Sequence, residues 1–392
     1  MRIGIDARTI LNPKKGDAIG SGHYTYQLIR HLLELDKENQ YVLFFDFRVR
    51  EKDVKKFSRP NTKIVFYPFS DYSQYLPGAY NEFLTAATLA KEKLDVLHST
   101  SPVSRIPTTY KGKTIGTFHD MGIYKIPECF HRTTLIRYKF SYRLMAKKMD
   151  KIIAVSNSIK EDLNSIFKVG DKVEVIYSGL DRRFFNLADA GAGRILGKLG
   201  IDKKYILFVG TVEPSKNITR LIQSFAIFKS KILAKNKGGQ KGKKFEYQIL
   251  LAGKNGWLSK EYLQLVKDLN LEKDVIFSGY IIGDELLPLL KNAEFFILPS
   301  LYEGFGMTVL EAFAAGLPAI VSNISSLVEI AKDAACFVNP IDTEEIAKAM
   351  LDFSENENMR NEFREKGLSR VKDFNWNDVA KKTLDLYKKI NN

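Results

Sequence analysis

Residues 295–323, FFILPSLYEGFGMTVLEAFAAGLPAIVSN, contain a strand, a glycine loop, a helix and a second strand in direct succession. The runs FFIL and AIVS are short, apolar and rich in aromatic or β-branched residues, which is typical of strands buried in a sheet. Between them, TVLEAFAA has apolar residues at helical spacing. A strand–helix–strand unit of this kind predicts two parallel strands with the helix packed across them.

The same alternation of strand and helix runs through the rest of the chain. In the first half the candidate strands are RIGIDA, QYVLFFD, KIVFYP, DVLHST, KTIGTFHD, KIIAVS and VEVIYSG; in the second half they are YILFVG, YQILLAG, VIFSGY, FFILPS and PAIVSN. A chain of 392 residues is longer than one hydrophobic core usually supports. We therefore expect an α/β fold of two doubly wound domains, each a mainly parallel sheet with helices on both faces.

The domain boundary is placed at a shift in composition. The segment LADAGAGRILGKLG follows a Gly-Leu-Asp turn at 179–181 and precedes a new set of strands and helices. The predicted domains are residues 1–185 and 186–375. A last helix within 376–392 lies beyond the second domain and can cross back to the first, with Trp376 either an apolar anchor or a surface cap.

The cysteine content and the N-terminus indicate a cytoplasmic protein. Cys129 and Cys336 lie far apart in the sequence, without a motif for a disulfide framework or a zinc site. The N-terminal MRIGIDARTI enters a strand directly, with no basic and apolar leader, and no run approaches the roughly 20 apolar residues that span a bilayer.

The net charge of +14 raises the question of an anionic partner. Much of the excess lies in two segments, 137–151 and 229–244. We interpret the second as a solvated loop and the first as a helix with aromatic and basic positions. That helix is either a plain exposed face or a surface that contacts anionic lipids at the inner membrane face. Nucleic-acid binding is not expected.

The glycine loop at 303–311 indicates a ligand with both anionic and hydroxyl groups. Ligands of parallel sheets bind at the carboxyl ends of the strands, where helix N-termini attract anions. Gly304 and Gly306 allow backbone amides to approach a ligand closely. Glu303 and Glu311 are about two helical turns apart, so both can face one site. Carboxylates repel phosphate but accept hydrogen bonds from sugar hydroxyls, and a sugar nucleotide has both groups.

A second turn, in YILFVGTVEPSKNITRLIQSF, is a candidate cation site. A buried strand ends at Gly210, and the turn that follows carries Ser215 and Lys216 before a helix. An ammonium group at such a turn can neutralise a diphosphate, although most lysines are merely solvated. Asn217 fits a simple helix cap.

The first domain offers two weaker candidates. Gly16, Gly20 and Gly22 precede a helix in the manner of phosphate-cradling loops, without the spacing of a dinucleotide fingerprint. His119 and Asp120 follow a strand at the carboxyl edge. A lone histidine is usually structural, but one at this edge is a candidate for contacting a substrate hydroxyl.

Several motifs are missing from the sequence. It has no GxxxxGK[ST] phosphate loop, no His or Cys cluster at metal-ligand spacing and no G-x-S-x-G turn. ATP hydrolysis, zinc chemistry and serine-type hydrolysis therefore lack support, and we expect chemistry without a metal or cofactor.

The motifs resemble those of the retaining GT-B glycosyltransferases of the family that includes bacterial mannosyltransferases and sucrose synthases. The resemblance covers nearly the whole chain and is most specific in GTVEPSKNITRLIQSF, YEGFGMTVLEAFAAGLPAIVSNISSLVEIA and FNWNDVAKKTLDLYKKI. It implies two Rossmann-like domains facing a cleft, with the donor in the C-terminal domain and the acceptor mainly in the N-terminal one.

The resemblance also implies roles for individual residues of the second domain. Glu311 would bind the ribose hydroxyls, and Lys216 would stabilise the leaving diphosphate. Glu303 would hold the donor sugar together with the backbone of four residues: Gly304, Phe305, Gly306 and Met307.

In the first domain, Gly20 to Gly22 would lie near the diphosphate and His119 near the hydroxymethyl group of the sugar. One departure concerns the diphosphate: many relatives have an arginine where this chain has Ser215 or Thr211. Stabilisation of the diphosphate would then depend on Lys216, helix N-termini or a basic residue from elsewhere.

The resemblance implies a retaining, metal-independent hexosyltransferase that uses a sugar nucleotide, with GDP-mannose the first choice, and a glycan or lipid-linked acceptor in surface polysaccharide synthesis. UDP-glucose and GDP-fucose are alternative donors. Alternatives of the same fold are a sugar-nucleotide epimerase and a phosphorylase. A non-catalytic basic binding protein is the alternative of another class. Acceptor contacts are expected in the loops Phe69–Tyr80 and Ile123–Thr134.

Overall fold

The computed structural model describes all residues except 12–19, 68–77, 104–105, 186–191, 239–244, 255, 257–258, 282–284 and 392, and only the backbone of 78–81, 236–238 and 259. Gly16, most of the predicted acceptor loop Phe69–Tyr80 and the start of the LADAGAG segment lie outside the described residues. The chain divides into two compact units. The first comprises Met1–Tyr124, Phe130–Asp181 and Phe374–Asn392, and the second comprises Lys125–Cys129 and Arg182–Asp373.

The first unit is built on a parallel sheet of seven strands in the order β3-β2-β1-β4-β5-β6-β7. Its strands are β1 (Arg2–Asp6), β2 (Gln40–Asp46), β3 (Thr62–Tyr67), β4 (Val96–Ser99), β5 (Lys113–Phe118), β6 (Lys151–Ala154) and β7 (Val173–Val175). Helices on both faces shield such a sheet from water, which explains why its strands are apolar along their whole length.

The helices of this unit are α1 (Gly20–Leu35), α2 (Glu51–Val54), α3 (Gly78–Lys91), α4 (Gly122–Lys125), α5 (Arg132–Lys148), α6 (Asn157–Phe167) and the C-terminal helix Trp376–Asn391. That last helix packs within the first unit. Trp376 is buried, its ring lies 5.5 Å from that of Tyr24, and a Cβ on Gly179 would lie 2.6 Å from its main-chain nitrogen. Trp376 therefore acts as an apolar anchor rather than a surface cap.

The second unit has a parallel sheet of six strands in the order β10-β9-β8-β11-β12-β13. Its strands are β8 (Lys204–Val209), β9 (Tyr247–Ala252), β10 (Val275–Gly279), β11 (Phe295–Leu298), β12 (Ala319–Ser322) and β13 (Ala335–Val338). The helices are α7 (Ala192–Leu199), α8 (Ile218–Gly238), α9 (Ser259–Asp268), α10 (Leu286–Asn292), α11 (Met307–Ala314), α12 (Ser325–Ala331), α13 (Thr343–Glu355) and α14 (Glu357–Arg370).

The predicted fold class, two doubly wound parallel α/β sheets, is confirmed. Both sheets have the strand order of a Rossmann fold, in which the order reverses beside the first strand. The edge strand β13 was not predicted, because ACFV is short and lies between helical patterns. The predicted domain boundary at residue 185 stays a prediction.

The interpretation of 229–244 as a solvated loop is wrong for its first part. Helix α8 continues to Gly238, and residues 239–244 lie outside the described part of the chain. Lysine is a good helix former, and acidic residues neutralise the charges. Lys229 pairs with Asp274 at 2.7 Å, and Lys235 pairs with Glu355 at 2.8 Å. Of the helices that the structure describes, none is long and apolar enough to cross a membrane.

Candidate active site

The predicted site of the second unit lies where the strand order of its sheet reverses. β8 and β11 are neighbours in the sheet but far apart in sequence, and the chain leaves them in opposite directions. Such a point opens a crevice at the carboxyl ends of the strands, where ligands of doubly wound folds bind. The turn with Lys216 follows β8, and the loop with Glu303 follows β11. The topology therefore brings together two residues separated by 87 positions.

Lys216 and Glu303 form an ion pair in this crevice. The Nζ of Lys216 donates to Oε1 of Glu303 at 2.6 Å, and their side chains are 20% and 12% exposed. The hydroxyl of Ser300, at the end of β11, donates to the same oxygen at 2.8 Å. Both bonds end on Oε1, so Oε2 is the oxygen that can accept from a ligand hydroxyl. An ammonium group has three donors, so Lys216 can hold Glu303 and also reach a phosphate oxygen.

Asn217 holds the lysine turn in place. It has a left-handed backbone with φ of 59°, and its amide donates to the carbonyls of Pro299 at 3.0 Å and Pro340 at 2.6 Å. It joins the turn after β8 to the chain after β11 and to the segment before α13. Asn217 is therefore more than a helix cap: it fixes the distance between the two loops of the site.

Glycine is required at the start of α11. Gly306 has φ of 93°, and a Cβ there would lie 2.6 Å from the Cδ2 of Leu327. Gly304 and Phe305 are buried, whereas Met307 is the first residue of α11. The loop therefore runs close against α12 and then directs the N-terminus of α11, the positive end of the helix dipole, to the carboxyl edge of the sheet.

Glu311 lies on the helix that the sequence predicted, and Gly210, the predicted end of a strand, lies one residue beyond the end of β8. Glu311 is a half-buried residue in α11, four positions after its first residue. Gly210 follows β8 directly, and a Cβ on the neighbouring Gly253 would lie 1.8 Å from the Gly210 carbonyl oxygen. The chains after β8 and β9 thus approach closely because position 253 is glycine. Ser215 is buried, and its hydroxyl donates to Glu213 at 2.7 Å.

The remaining predicted residues belong to the first unit. Gly20 is exposed, has φ of 62° and begins α1, and Gly22 is buried in the first turn of that helix. His119 follows β5 directly. His119 therefore stands at the carboxyl edge of the first sheet, and Gly20 and Gly22 form the first turn of the helix that follows β1.

His119 is held as a neutral imidazole. Its Nε2 lies 2.8 Å from the carbonyl oxygen of Thr100, so Nε2 carries the proton and Nδ1 is the acceptor. Its ring packs edge-on against Tyr24, with 4.6 Å between ring centroids. Burial lowers the pKa of His119 to about 4, against an ordinary value of 6.5. At neutral pH this side chain can accept a hydrogen bond from a hydroxyl.

Sequence reasoning did not single out the serines that surround Glu303. Ser300 contacts its carboxylate, and Ser325 and Ser326 contact its main chain. They are dispersed in the sequence, and only the parallel pairing of β11 with β12 brings them together.

Within the described part of the chain, no three His, Cys, Asp or Glu side chains are arranged to hold a metal ion. Burial raises the pKa of Cys129 and of Cys336 to about 11.

Family models match both units of the chain. Residues 194–370 match the model of the glycosyl transferases group 1, and residues 19–184 match that of glycosyltransferase family 4. The chain therefore belongs to the group 1 glycosyltransferases and has the GT-B type of fold, which confirms the resemblance seen in the sequence. It is a glycosyltransferase.

Two relatives and one solved structure illustrate the similarity. The O-antigen chain mannosyltransferase B of Escherichia coli is 27% identical over 281 residues, which are 70% of each chain. An uncharacterised glycosyltransferase of Methanocaldococcus jannaschii is 32% identical over 250 residues, 61% of this chain and 60% of the relative. The sucrose-phosphate synthase of Thermosynechococcus elongatus has a TM-score of 0.75 at 20% identity, covering 100% of this chain and 99% of that one.

Proposed function

We propose that this glycosyltransferase moves a mannosyl group from GDP-mannose to a hydroxyl of a glycan or lipid-linked acceptor in surface polysaccharide synthesis. The observation that carries the proposal is the Lys216–Glu303 pair beside the N-terminus of α11. A cation and a helix N-terminus suit a diphosphate, and a carboxylate suits sugar hydroxyls. One crevice thus has a partner for each half of a sugar nucleotide.

In the proposed reaction the anomeric configuration is retained and no metal takes part. The bond between the anomeric carbon and the diphosphate oxygen breaks, and the nucleoside diphosphate leaves with the electron pair. The acceptor hydroxyl attacks from the same face through an oxocarbenium-like state and loses its proton to the leaving group. Lys216 and the amides of α11 stabilise the charge that develops on the diphosphate.

The choice of mannose rests on the relatives, which include an O-antigen chain mannosyltransferase at 27% identity. The arginine of many relatives is absent here, and Lys254 is a basic residue that can substitute for it. It follows β9 at the same sheet edge, is exposed, and its carbonyl accepts from the Val212 amide at 3.0 Å. The two loops that carry Lys216 and Lys254 are thereby joined.

Peripheral contact with an anionic membrane is part of the proposal. Helix α5 exposes two large apolar side chains one turn apart, Ile136 at 74% and Phe140 at 57%. Exposed basic residues lie beside and beyond them on the same helix: Arg132, Arg137, Arg143 and Lys147. Apolar groups flanked by cations suit the boundary between lipid headgroups and acyl chains.

Thermal-shift titrations test the donor. The protein is titrated with GDP-mannose, UDP-glucose, GDP, UDP and ADP, each with and without EDTA. A ligand that binds the folded state raises the melting temperature. We expect a shift with guanine nucleotides that persists in EDTA. A shift with another base overturns GDP-mannose, and loss of the shift in EDTA overturns metal independence.

Product analysis tests the proposed reaction. With a mannoside acceptor, NMR of the product is expected to show that the anomeric carbon keeps the configuration it has in the donor. Epimerised donor in the absence of acceptor indicates an epimerase, and a reaction that depends on phosphate indicates a phosphorylase.

Flotation with phosphatidylglycerol vesicles at low salt tests the membrane contact. The wild-type protein is expected to float with the vesicles, and the double substitution Ile136→Ser with Phe140→Ser is expected to abolish this binding. Wild-type protein that stays at the bottom of the gradient contradicts the membrane contact.

A further inference from the structure

The main chain of Glu303 is held by the first two residues of α12. Ser325 Oγ accepts from the Glu303 amide at 3.3 Å and donates to the Glu303 carbonyl at 3.1 Å. Ser326 Oγ donates to the same carbonyl at 2.9 Å, and Ser326 is fully buried. One hydroxyl can donate and accept at once, so Ser325 bonds to both polar groups of the residue. The backbone of Glu303 is thereby fixed on both sides.

Ser325 makes these bonds from an unfavourable backbone conformation. Its φ is 40°, in the left-handed region that side chains with a Cβ rarely adopt. Glycine would adopt it freely but has no hydroxyl. The residue at this position therefore keeps a hydroxyl where the backbone alone would favour glycine. Conformations of this kind persist where the surrounding contacts enforce them, and they are common at functional sites.

The same helix also supports the far end of the glycine loop. Leu327 lies against Gly306 so closely that a Cβ there would be 2.6 Å from its Cδ2. Helix α12 therefore fixes the segment 303–306 at both ends, through hydrogen bonds at Glu303 and through packing at Gly306. The carboxylate of Glu303 in turn has its direction set by Lys216 and Ser300.

We propose that Ser325 is a positioning residue, whose hydroxyl aligns Glu303 with the donor sugar. This inference rests on the proposed function, because it requires Glu303 to contact the sugar of the donor. Ser325 itself acts through Glu303 and is not assigned a contact with substrate. Loss of the hydroxyl lets the main chain of Glu303 rotate, so that its carboxylate no longer meets the sugar hydroxyls in the geometry that transfer needs.

Two substitutions separate the hydroxyl from the backbone. Ser325→Gly removes the hydroxyl and suits the left-handed conformation, whereas Ser325→Ala removes the hydroxyl and keeps the Cβ. We expect both to lower kcat about tenfold, less than the roughly 100-fold that a 1 Å misplacement of a reacting group can cause, because Ser326 still holds the Glu303 carbonyl. The affinity for GDP, which lacks the transferred hexose that Glu303 is proposed to contact, is expected to stay within about twofold, and the melting temperature of Ser325→Gly is expected to match the wild type.

A matched control lies at the other end of α12. Lys332 is also a non-glycine residue with positive φ, 50°, but it is exposed. Lys332→Gly is expected to leave kcat unchanged, which shows that the effect at Ser325 is not a general effect of glycine in this helix. In a Glu303→Ala background, Ser325→Gly is expected to cause no further loss of kcat, because both changes remove the same interaction, the proposed contact of Glu303 with the donor sugar.

The outcomes are distinguishable. Wild-type kcat in Ser325→Gly overturns the positioning role while the proposed function stands. A parallel loss of kcat, GDP affinity and melting temperature also overturns it, since that pattern indicates a structural role alone. If the wild-type protein transfers sugar from none of the donors tested, the proposed function fails and this inference fails with it.

Discussion

At the scale of single residues, the contact between Lys216 and Glu303 determines what each substitution does. The pair is largely buried, so removal of one partner leaves the other in a poorly solvated site. Loss of Lys216 therefore affects stability as well as chemistry. A partly buried charge left without its partner typically costs about 1–3 kcal/mol of unfolding free energy.

Lys216→Ala is expected to lower kcat about 100-fold, as loss of one preorganised donor to a developing charge typically does. The donor KM should change much less, because the charge on the diphosphate increases in the transition state. Steady-state kinetics with radiolabelled donor measure both. Lys231→Ala, an exposed lysine paired with Glu344 in the same unit, is the control and should keep wild-type kinetics. If kcat falls by less than about threefold, another group stabilises the diphosphate.

Glu311→Ala is expected to weaken nucleotide binding at least tenfold, because a hydrogen bond to a charged acceptor contributes about 1.5–3 kcal/mol. The ribose is present in GDP as well as in the donor, so calorimetric titration with GDP is the appropriate measurement. Glu344→Ala, which removes an exposed carboxylate of the same unit, should bind GDP as the wild type does. Unchanged GDP affinity in Glu311→Ala would remove Glu311 from the ribose site.

The sequence predicted Glu303 and Lys216 because each lies in a turn or glycine loop after an apolar run, and it predicted Glu311 because this residue follows Glu303 by about two helical turns. It did not predict the serine contacts to Glu303, since Ser300 and Ser325 are ordinary polar residues in the sequence. Their bonds depend on the neighbouring positions of β11 and β12 in the sheet. The left-handed backbone of Ser325 is likewise invisible without coordinates.

At the scale of elements, β4 and the C-terminal helix are joined by a buried histidine. His98 Nδ1 lies 2.7 Å from the Tyr387 hydroxyl, and Nε2 lies 2.8 Å from Thr117 Oγ1. Burial, with a smaller effect of His119, lowers the pKa of His98 from 6.5 to about 3. The folded protein therefore keeps this imidazole neutral at pH values where the unfolded chain binds a proton.

This difference makes stability depend on pH. Because the pKa is lowered on folding, the contribution of His98 is fully present above pH 6.5 and is lost as the pH falls toward 3. Between pH 7 and pH 5 we expect His98 to account for a loss of about 2 kcal/mol of unfolding free energy. Urea denaturation at both pH values measures it.

The matched comparison uses two histidine variants of the first unit. His98→Gln retains hydrogen-bonding groups but does not titrate, so its loss of stability between pH 7 and pH 5 should be smaller than that of the wild type. His131→Gln, at an exposed histidine, should keep the wild-type dependence. If the unfolding free energy of His98→Gln depends on pH as strongly as that of the wild type, burial does not keep His98 neutral in the folded protein.

Elements with strong periodicity were predictable, and those without it were not. Strands β1 to β12 correspond to apolar runs with turn residues on each side. Strand β13 is only Ala335–Val338 and contains small residues, and helix α14 has almost no apolar face, so neither shows a clear pattern. Both depend on contacts with neighbouring elements for their position.

At the scale of the whole molecule, the chain consists of two units with separate cores, each built on its own parallel sheet. The predicted donor residues Lys216, Glu303 and Glu311 all belong to the second unit, whereas His98 and the C-terminal helix belong to the first. Multidomain chains commonly unfold in more than one step. Ligand binding and histidine protonation should therefore affect different transitions.

Differential scanning calorimetry can separate the two units. GDP at about 100 times its Kd contributes about 2.7 kcal/mol to the unit that binds it. For a unit of this size that is a rise of several degrees in one transition. We expect the affected transition to be the one that His98→Gln leaves unchanged, because the two perturbations act on different units. If two transitions are resolved and both GDP and His98→Gln shift the same one, the assignment of the nucleotide site to the second unit is wrong.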